Sequence, residues 1–117
     1  MNTIVTGFGW IELNGIRYED DCIIHTNGSV TKRKKKLSKH KRSEYGHTPL
    51  CIEELDFIPE KPAVVYIGTG QYGALPITKE ASTFLNQFDV IVKKTPEICM
   101  AIQKEERQYV AILHLTC

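Results

Sequence analysis

Three short apolar runs constrain this chain more than any other feature. They are Ala63 to Ile67, Val90-Ile91-Val92, and Tyr109 to Leu115. Each has strand length, and helix signals lie between them. After the first run, Thr78 reads as a helix cap, followed by Ala81, Phe84, Leu85 and Phe88 at spacing i, i+3, i+4, i+7. After the second, Thr95-Pro96-Glu97 reads as cap, first-turn proline and an acid at the positive helix end. Ile98, Ala101 and Ile102 then face the core. A β-α-β-α-β order of this kind predicts layers of helix packed on a sheet, with right-handed crossovers making these three strands parallel.

The first third reads as β. Phe8 to Leu13 forms a strand with Phe8 and Trp10 on one face, and Asn14-Gly15 supplies a two-residue hairpin turn. Ile16 to His25 follows, with Ile16, Tyr18, Cys22 and Ile24 on one face and polar Asp20 interrupting the pattern. Asn27-Gly28 marks a second turn, and Val30 begins a third strand. The expectation is a three-stranded antiparallel meander. Between meander and β-α-β-α-β, Thr48-Pro49 predicts a helix with Cys51, Leu55 and Ile58 on its inner face, stopped at Pro59.

The 117 residues suit one domain, and 42% apolar with 25% charged residues suits a packed core. No apolar run approaches the roughly 20 residues that span a bilayer, and Met1-Asn2-Thr3-Ile4 has no signal-peptide pattern. A cytoplasmic chain without membrane insertion is expected. Cys22, Cys51, Cys99 and Cys117 form no C-x-x-C pair, and the histidines add no zinc-finger spacing. Reduced, mostly buried thiols are expected, with no metal and no cofactor.

The net charge of +1 conceals an asymmetry. Lys32, Arg33, Lys34, Lys35, Lys36, Lys39, Lys41 and Arg42 lie in one segment without an acid. The remaining seven Lys/Arg face 14 Asp/Glu, so the rest of the chain carries −7. Three readings stand for this basic patch: a lysine-protected sheet edge, a nucleic-acid contact, or a dock for an acidic protein surface. It lacks aromatics interleaved for base stacking, and the acidic remainder repels a polyanion. Nucleic acid is therefore not the favoured partner.

Ligands of open α/β sheets sit beyond the carboxyl ends of the strands. If the last strand runs parallel to the first two, Gly68-Thr69-Gly70-Gln71, Thr95 and the end His114-Leu115-Thr116-Cys117 meet at one edge. If it runs antiparallel, His114 moves to the opposite end. The glycine loop matches neither a dinucleotide fingerprint nor a P-loop; it is either a tight turn with close backbone packing or an anion site built of amides. His114 and Cys117 have the types of a base and a nucleophile, against a packed histidine and an inert thiol. Thr95 reads as a helix cap. These residues form the pocket expected from sequence, with no catalytic residue assigned.

Taken in order, Phe8-Gly9, Asn14-Gly15, Gly46-His47, Gly68-Thr69-Gly70-Gln71, Thr95-Pro96-Glu97 and His114-Leu115-Thr116-Cys117 resemble the small Mth-domain family. That family is of unknown function; in eukaryotes it includes the adipogenesis-associated domain protein and the mitochondrial complex I assembly factor 3. The resemblance implies a three-layer α/β fold with a mixed central sheet, one domain over residues 1–117. It implies no reaction. From its eukaryotic branch it implies a non-enzymatic interaction or assembly role with protein partners. The alternative is a small-molecule or anion binder, or an enzyme, using the Gly68–Gln71 loop and His114. A second alternative is nucleic-acid binding through Lys32–Arg42. The basic run departs from the family pattern, in which a strand with tryptophan or arginine residues is followed by a polar turn.

Overall fold

The structure is a computed structural model that describes residues 3–117; Met1 and Asn2, part of the segment read above for a signal peptide, lie outside them. Among the described residues, eight strands form two sheets. β1 (Ile4–Gly7), β2 (Trp10–Leu13) and β3 (Ile16–Tyr18) make a three-stranded antiparallel meander. β4 (Cys22–Ile24), β5 (Val30–Lys32), β6 (Val64–Thr69), β7 (Val90–Lys93) and β8 (Tyr109–His114) make a five-stranded sheet in the order β5-β4-β8-β6-β7. In it β8 and β7 flank β6 in parallel, and β4 runs antiparallel to both β8 and β5. The sheet is mixed, as expected, and the crossovers carry α2 (Lys79–Leu85) and α3 (Thr95–Ile102). A single helical turn, α1 (Arg42–Tyr45), closes the basic segment.

Strand alternation sorts the core onto the two faces of the large sheet. Val64 and Tyr66 of β6, with Ala111 and Leu113 of β8, pack toward Ile98, Cys99 and Ile102 of α3 and Ile4, Ile11 and Leu13 of the meander. Val65 and Ile67, with Val110 and Ile112, pack toward Ala81 and Leu85 of α2 and toward Leu50, Leu55 and Phe57. Meander and α3, central sheet, and α2 with its flanking turns are the three layers. Asn14 and Gly15 both adopt positive φ in the β2–β3 turn, as the hairpin signal required. Thr78 accepts the Ala81 N–H at 3.2 Å and caps α2.

Several expectations are corrected. The meander is not the one the sequence suggested: Ile4–Gly7 is its first strand, Phe8 and Gly9 (φ +83°) turn between β1 and β2, and the strand from Val30 belongs to the large sheet. The run Ile16 to His25 is two strands in different sheets, broken where Asp21 is buried beside the pattern-breaking Asp20. Val90–Val92 is not a buried strand: β7 lies at the sheet margin, and Val92 is exposed. The helix expected from Thr48 to Ile58 is replaced by two short 3-10 turns, Ile52–Glu54 and Ile58–Glu60. Leu50 explains this, since its N–H donates to the Pro76 carbonyl at 2.8 Å and its carbonyl accepts from the Thr78 N–H at 3.1 Å. Both groups serve a β-bridge to Ile77, and the Leu50 carbonyl is thereby lost to a helical ladder. Cys51 and Leu55 are still buried, but Ile58 is exposed.

Past the end of β6, Gly70 has φ +104°, and a Cβ there would lie 2.4 Å from the Cys117 carbonyl carbon and 2.8 Å from His114 Cδ2. Gly70→Ala therefore meets both backbone strain and a backbone clash. A loss of about 2 kcal/mol or more is expected by urea denaturation, and a variant of unchanged stability would contradict this placement.

Candidate functional site

The parallel pairing of β6 with β8 sets Thr69 opposite His114, so the expected convergence of three segments occurs. The Gly70 N–H donates to Thr95 Oγ1 at 2.9 Å, and that hydroxyl donates in turn to the His114 carbonyl at 2.6 Å. The Thr95 N–H returns to the Gly70 carbonyl at 3.0 Å, and the Gln71 N–H reaches the Thr116 carbonyl at 2.7 Å. Thr69 Oγ1 donates to the Lys93 carbonyl at 3.1 Å, and Gln71 Nε2 donates to Thr6 Oγ1 at 3.3 Å. A Cβ at Gly68 would lie 2.7 Å from Thr95 Oγ1, so this glycine serves close packing. Thr95 is not the helix cap that its sequence context suggests. It is the first residue of α3, fully buried, and its hydroxyl ties the glycine loop to the end of β8. The amides of Gly70 and Gln71 are consumed inside the protein and do not cradle an anion.

A cleft opens instead beside the end of β8. It has a volume of about 310 Å³ and is lined by Arg33, Lys35, Lys39, Arg42, His47 and Thr48, and by Ala74, Leu75, His114, Thr116 and Cys117. Of the pocket expected from sequence, His114 and Cys117 reach it; Gly68, Thr69, Gly70, Gln71 and Thr95 do not. Of the basic patch, Arg33, Lys35, Lys39 and Arg42 line it, and Lys32, Lys34, Lys36 and Lys41 do not.

The patch is not a uniform solvated edge. The Arg33 side chain is fully buried. Its Nε and Nη2 donate to the two Glu54 oxygens at 2.8 and 2.9 Å, Nη1 to Asp21 at 3.2 Å, and Nη2 also to the Pro49 carbonyl at 2.6 Å. Ser38, buried as well, donates its hydroxyl to Glu54 and accepts the Cys51 N–H at 3.2 Å. Lys32 pairs with Asp20, Lys34 with Asp56, Lys35 with Asp21 and Lys41 with Glu44. Among the described residues, Lys36, Lys39 and Arg42 have no ion-pair partner, and two of these three line the cleft.

Asp21 joins this network to the strand end. Its Oδ2 takes His114 Nδ1 at 2.6 Å and Lys35 Nζ at 3.2 Å, and its Oδ1 takes the Leu115 N–H at 2.8 Å. Burial alone would raise the Asp21 pKa. The hydrogen bond and charge of His114, the Leu115 amide and the Lys35 ammonium outweigh it and hold the carboxyl at about 2. An ionised Asp21 fixes the proton of His114 on Nδ1 and presents Nε2 toward Thr116 Oγ1, 3.3 Å away. The cleft therefore has a wall of cations and an imidazole of set orientation. Cys22 and Cys99 lie in the core, where burial pushes their thiols up to about 12 and removes them from nucleophilic chemistry.

Sequence reasoning missed Asp21, Glu54, Ser38 and His47 as contributors to the site. The interruption of the β pattern at Asp20-Asp21 was the available signal for the first.

Residues 5–114 match the family described as "Protein of unknown function (DUF498/DUF598)". The chain belongs to that family. It is similar to a conserved hypothetical protein of Pyrococcus horikoshii OT3, at 28% identity over 98% of this chain and 99% of that one, with a TM-score of 0.87. It is similar to MT938 at 32% identity over the whole of both chains, TM-score 0.81. A Mth938-like domain of Bordetella pertussis, at 21% identity over 97% of this chain and 85% of that one, shares the fold with a TM-score of 0.55. None of the curated proteins matches the chain. The Mth938-like fold expected from the motifs is thus established, with no biochemical role attached to it. Among the described residues no helix is long and apolar enough to cross a membrane.

Asp21 makes a pH prediction with a definite sign. Its folded pKa lies below the ordinary 3.8, so its contribution is present above about pH 4 and lost as pH falls through about 2. Asp21→Asn should cost about 3 kcal/mol or more at neutral pH, because Arg33, Lys35 and His114 lose a buried counter-charge. In urea unfolding from pH 7 to pH 2 the gap between wild type and variant should close on the acid side; a constant gap would refute the assignment.

Proposed function

We propose that this protein binds a small, multiply charged anion, such as a phosphorylated metabolite or a compact polycarboxylate, in the cleft beside His114. One observation carries the reading: among the described residues no Asp or Glu side chain lines the cleft, while Lys39 and Arg42, which have no ion-pair partner there, stand at its wall. Arg33 and Lys35 are held by Asp21 and Glu54, so the wall is preorganised before a ligand arrives. His47, Thr48, His114 and Thr116 supply polar groups that can orient the bound anion. This is the anion-binding alternative of the sequence reading, moved from the backbone amides of the glycine loop to the side chains of the basic segment.

Nucleic-acid binding is the weaker use of these cations. Arg33 is buried and Lys32, Lys34, Lys35 and Lys41 are neutralised in place, so the segment offers no continuous basic stripe. A role on a protein partner, with or without a bound anion, has a separate support in Phe8 and Tyr72. These two rings lie 6.0 Å apart and are 55% and 72% exposed, an aromatic pair of the kind that anchors interfaces.

Inorganic phosphate, pyrophosphate, citrate and nucleoside phosphates, tested singly, should include at least one that raises the melting temperature by mass action. Lys39→Ala and Arg42→Ala should each weaken that ligand by about tenfold or more, the cost of one charged hydrogen bond. A flat panel, or affinity untouched by both variants, would sink the proposal. For the aromatic pair, a co-purifying protein should be retained by wild type and lost by the Phe8→Ala, Tyr72→Ala double variant; retention by both would remove this surface from consideration.

A further inference from the structure

We infer that His40, Cys51 and Glu53 form a binding site for a zinc-class divalent ion. The three ligand atoms lie within 4.8 Å of one another, and His40 Nε2 stands 3.7 Å from Glu53 Oε2. They line a second cleft, with Ile52, Thr78, Glu80 and Lys41, that shares no residue with the cationic one.

Tetrahedral zinc, with bonds of about 2.0–2.3 Å, places such ligand atoms about 3.3–3.5 Å apart. The imidazole and carboxylate are near that separation already. The remaining closure falls on His40 and Glu53, whose side chains are 53% and 52% exposed and free to rotate about a fixed point. That fixed point is Cys51, buried at the base of the cleft. The backbone beneath the ligands is pinned by Ser38, which bonds both the Cys51 N–H and the carboxylate of Glu54, the neighbour of Glu53. Ser38 also opens the 3-10 turn Lys39–Lys41 that carries His40. One buried residue, through its hydroxyl and through its own place in the chain, therefore joins the segments bearing all three groups.

A thiolate, an imidazole and a carboxylate together suit zinc and exclude magnesium and calcium, which take oxygen alone. On binding, the Zn–S bond replaces the Cys51 S–H bond and the proton leaves to solvent, with no change of oxidation state. Water takes the fourth position. Lys41, the cation facing the cleft, is paired with Glu44 at 3.5 Å. The spacing His40-x10-Cys51-x-Glu53 matches no zinc signature, because the ligands come from turns that only the folded chain brings together.

The test is zinc titration of the full chain under a non-chelating reductant, followed with a competing chromophoric chelator, and a parallel cobalt titration read by its thiolate charge-transfer band. One ion per chain is expected, with that band present. His40→Gln and Glu53→Gln, both at exposed positions, should keep the fold and weaken zinc by about tenfold or more; Cys51→Ser should abolish the band. Absence of stoichiometric uptake would overturn the inference. So would uptake that survives all three substitutions, or uptake lost instead on changing His47 and His114. Anion binding at the other cleft is measured separately, so either result stands without the other.

Discussion

A guanidinium cannot be withdrawn from water unless its charge and its donors are met, and the interior position of Arg33 imposes that condition on much of this chain. Its donors reach Glu54, Asp21 and the Pro49 carbonyl. Those three groups come from a 3-10 turn, the junction between the two sheets and the segment that precedes the turn. Removing one partner of such a buried pair costs about 3–5 kcal/mol, because the other charge stays buried without a counter-ion. The network thus fixes where the meander hands over to the large sheet, where residues 49–54 lie, and how the basic segment folds back over them. His114 enters through Asp21, so the imidazole at the end of β8 is oriented by the same set of charges.

The basic segment divides its labour along its own length. Arg33 is an internal anchor, Ser38 an internal knot, Lys35 a counter-ion, and Lys39 with Arg42 an open wall. Two short 3-10 turns, Lys35–Leu37 and Lys39–Lys41, produce this division. With three residues per turn, neighbouring side chains diverge by about 120°. Lys39 and His40, adjacent in sequence, therefore line two different clefts.

Much of the fold was legible in sequence where local and tertiary demands agreed. The runs at Val64 and Val110 are strands because their apolar residues fill both faces of a sheet, and Thr78 caps because nothing else competes for its hydroxyl. The sequence misled where a distant partner claimed a local group. Thr95 looks like a cap, but Gly70 and the His114 carbonyl take its hydroxyl. Pro49 to Ile58 has helical spacing, but Leu50 gives both backbone groups to the chain near Ile77, and the Pro49 carbonyl goes to Arg33. The edge joining Gly68–Gln71, Thr95 and His114 followed from strand direction alone. The cleft did not, because it depends on which cations are neutralised, and the acids that neutralise Arg33, Asp21 and Glu54, lie 12 and 21 residues away.

The strand order leaves the large sheet with open margins at β5 and β7. Each is a row of backbone donors and acceptors on which a second chain could template a continued sheet. β5 is three residues long and ends in Lys32; β7 is four residues long and ends in Lys93, followed by Lys94. Both offer too few rungs for stable pairing, and each carries an ammonium that a docking strand would have to desolvate. The valines that make β7 a strand would otherwise mark it as adhesive, Val92 above all. Short length and terminal lysines both oppose the growth of fibrils from such an apolar margin.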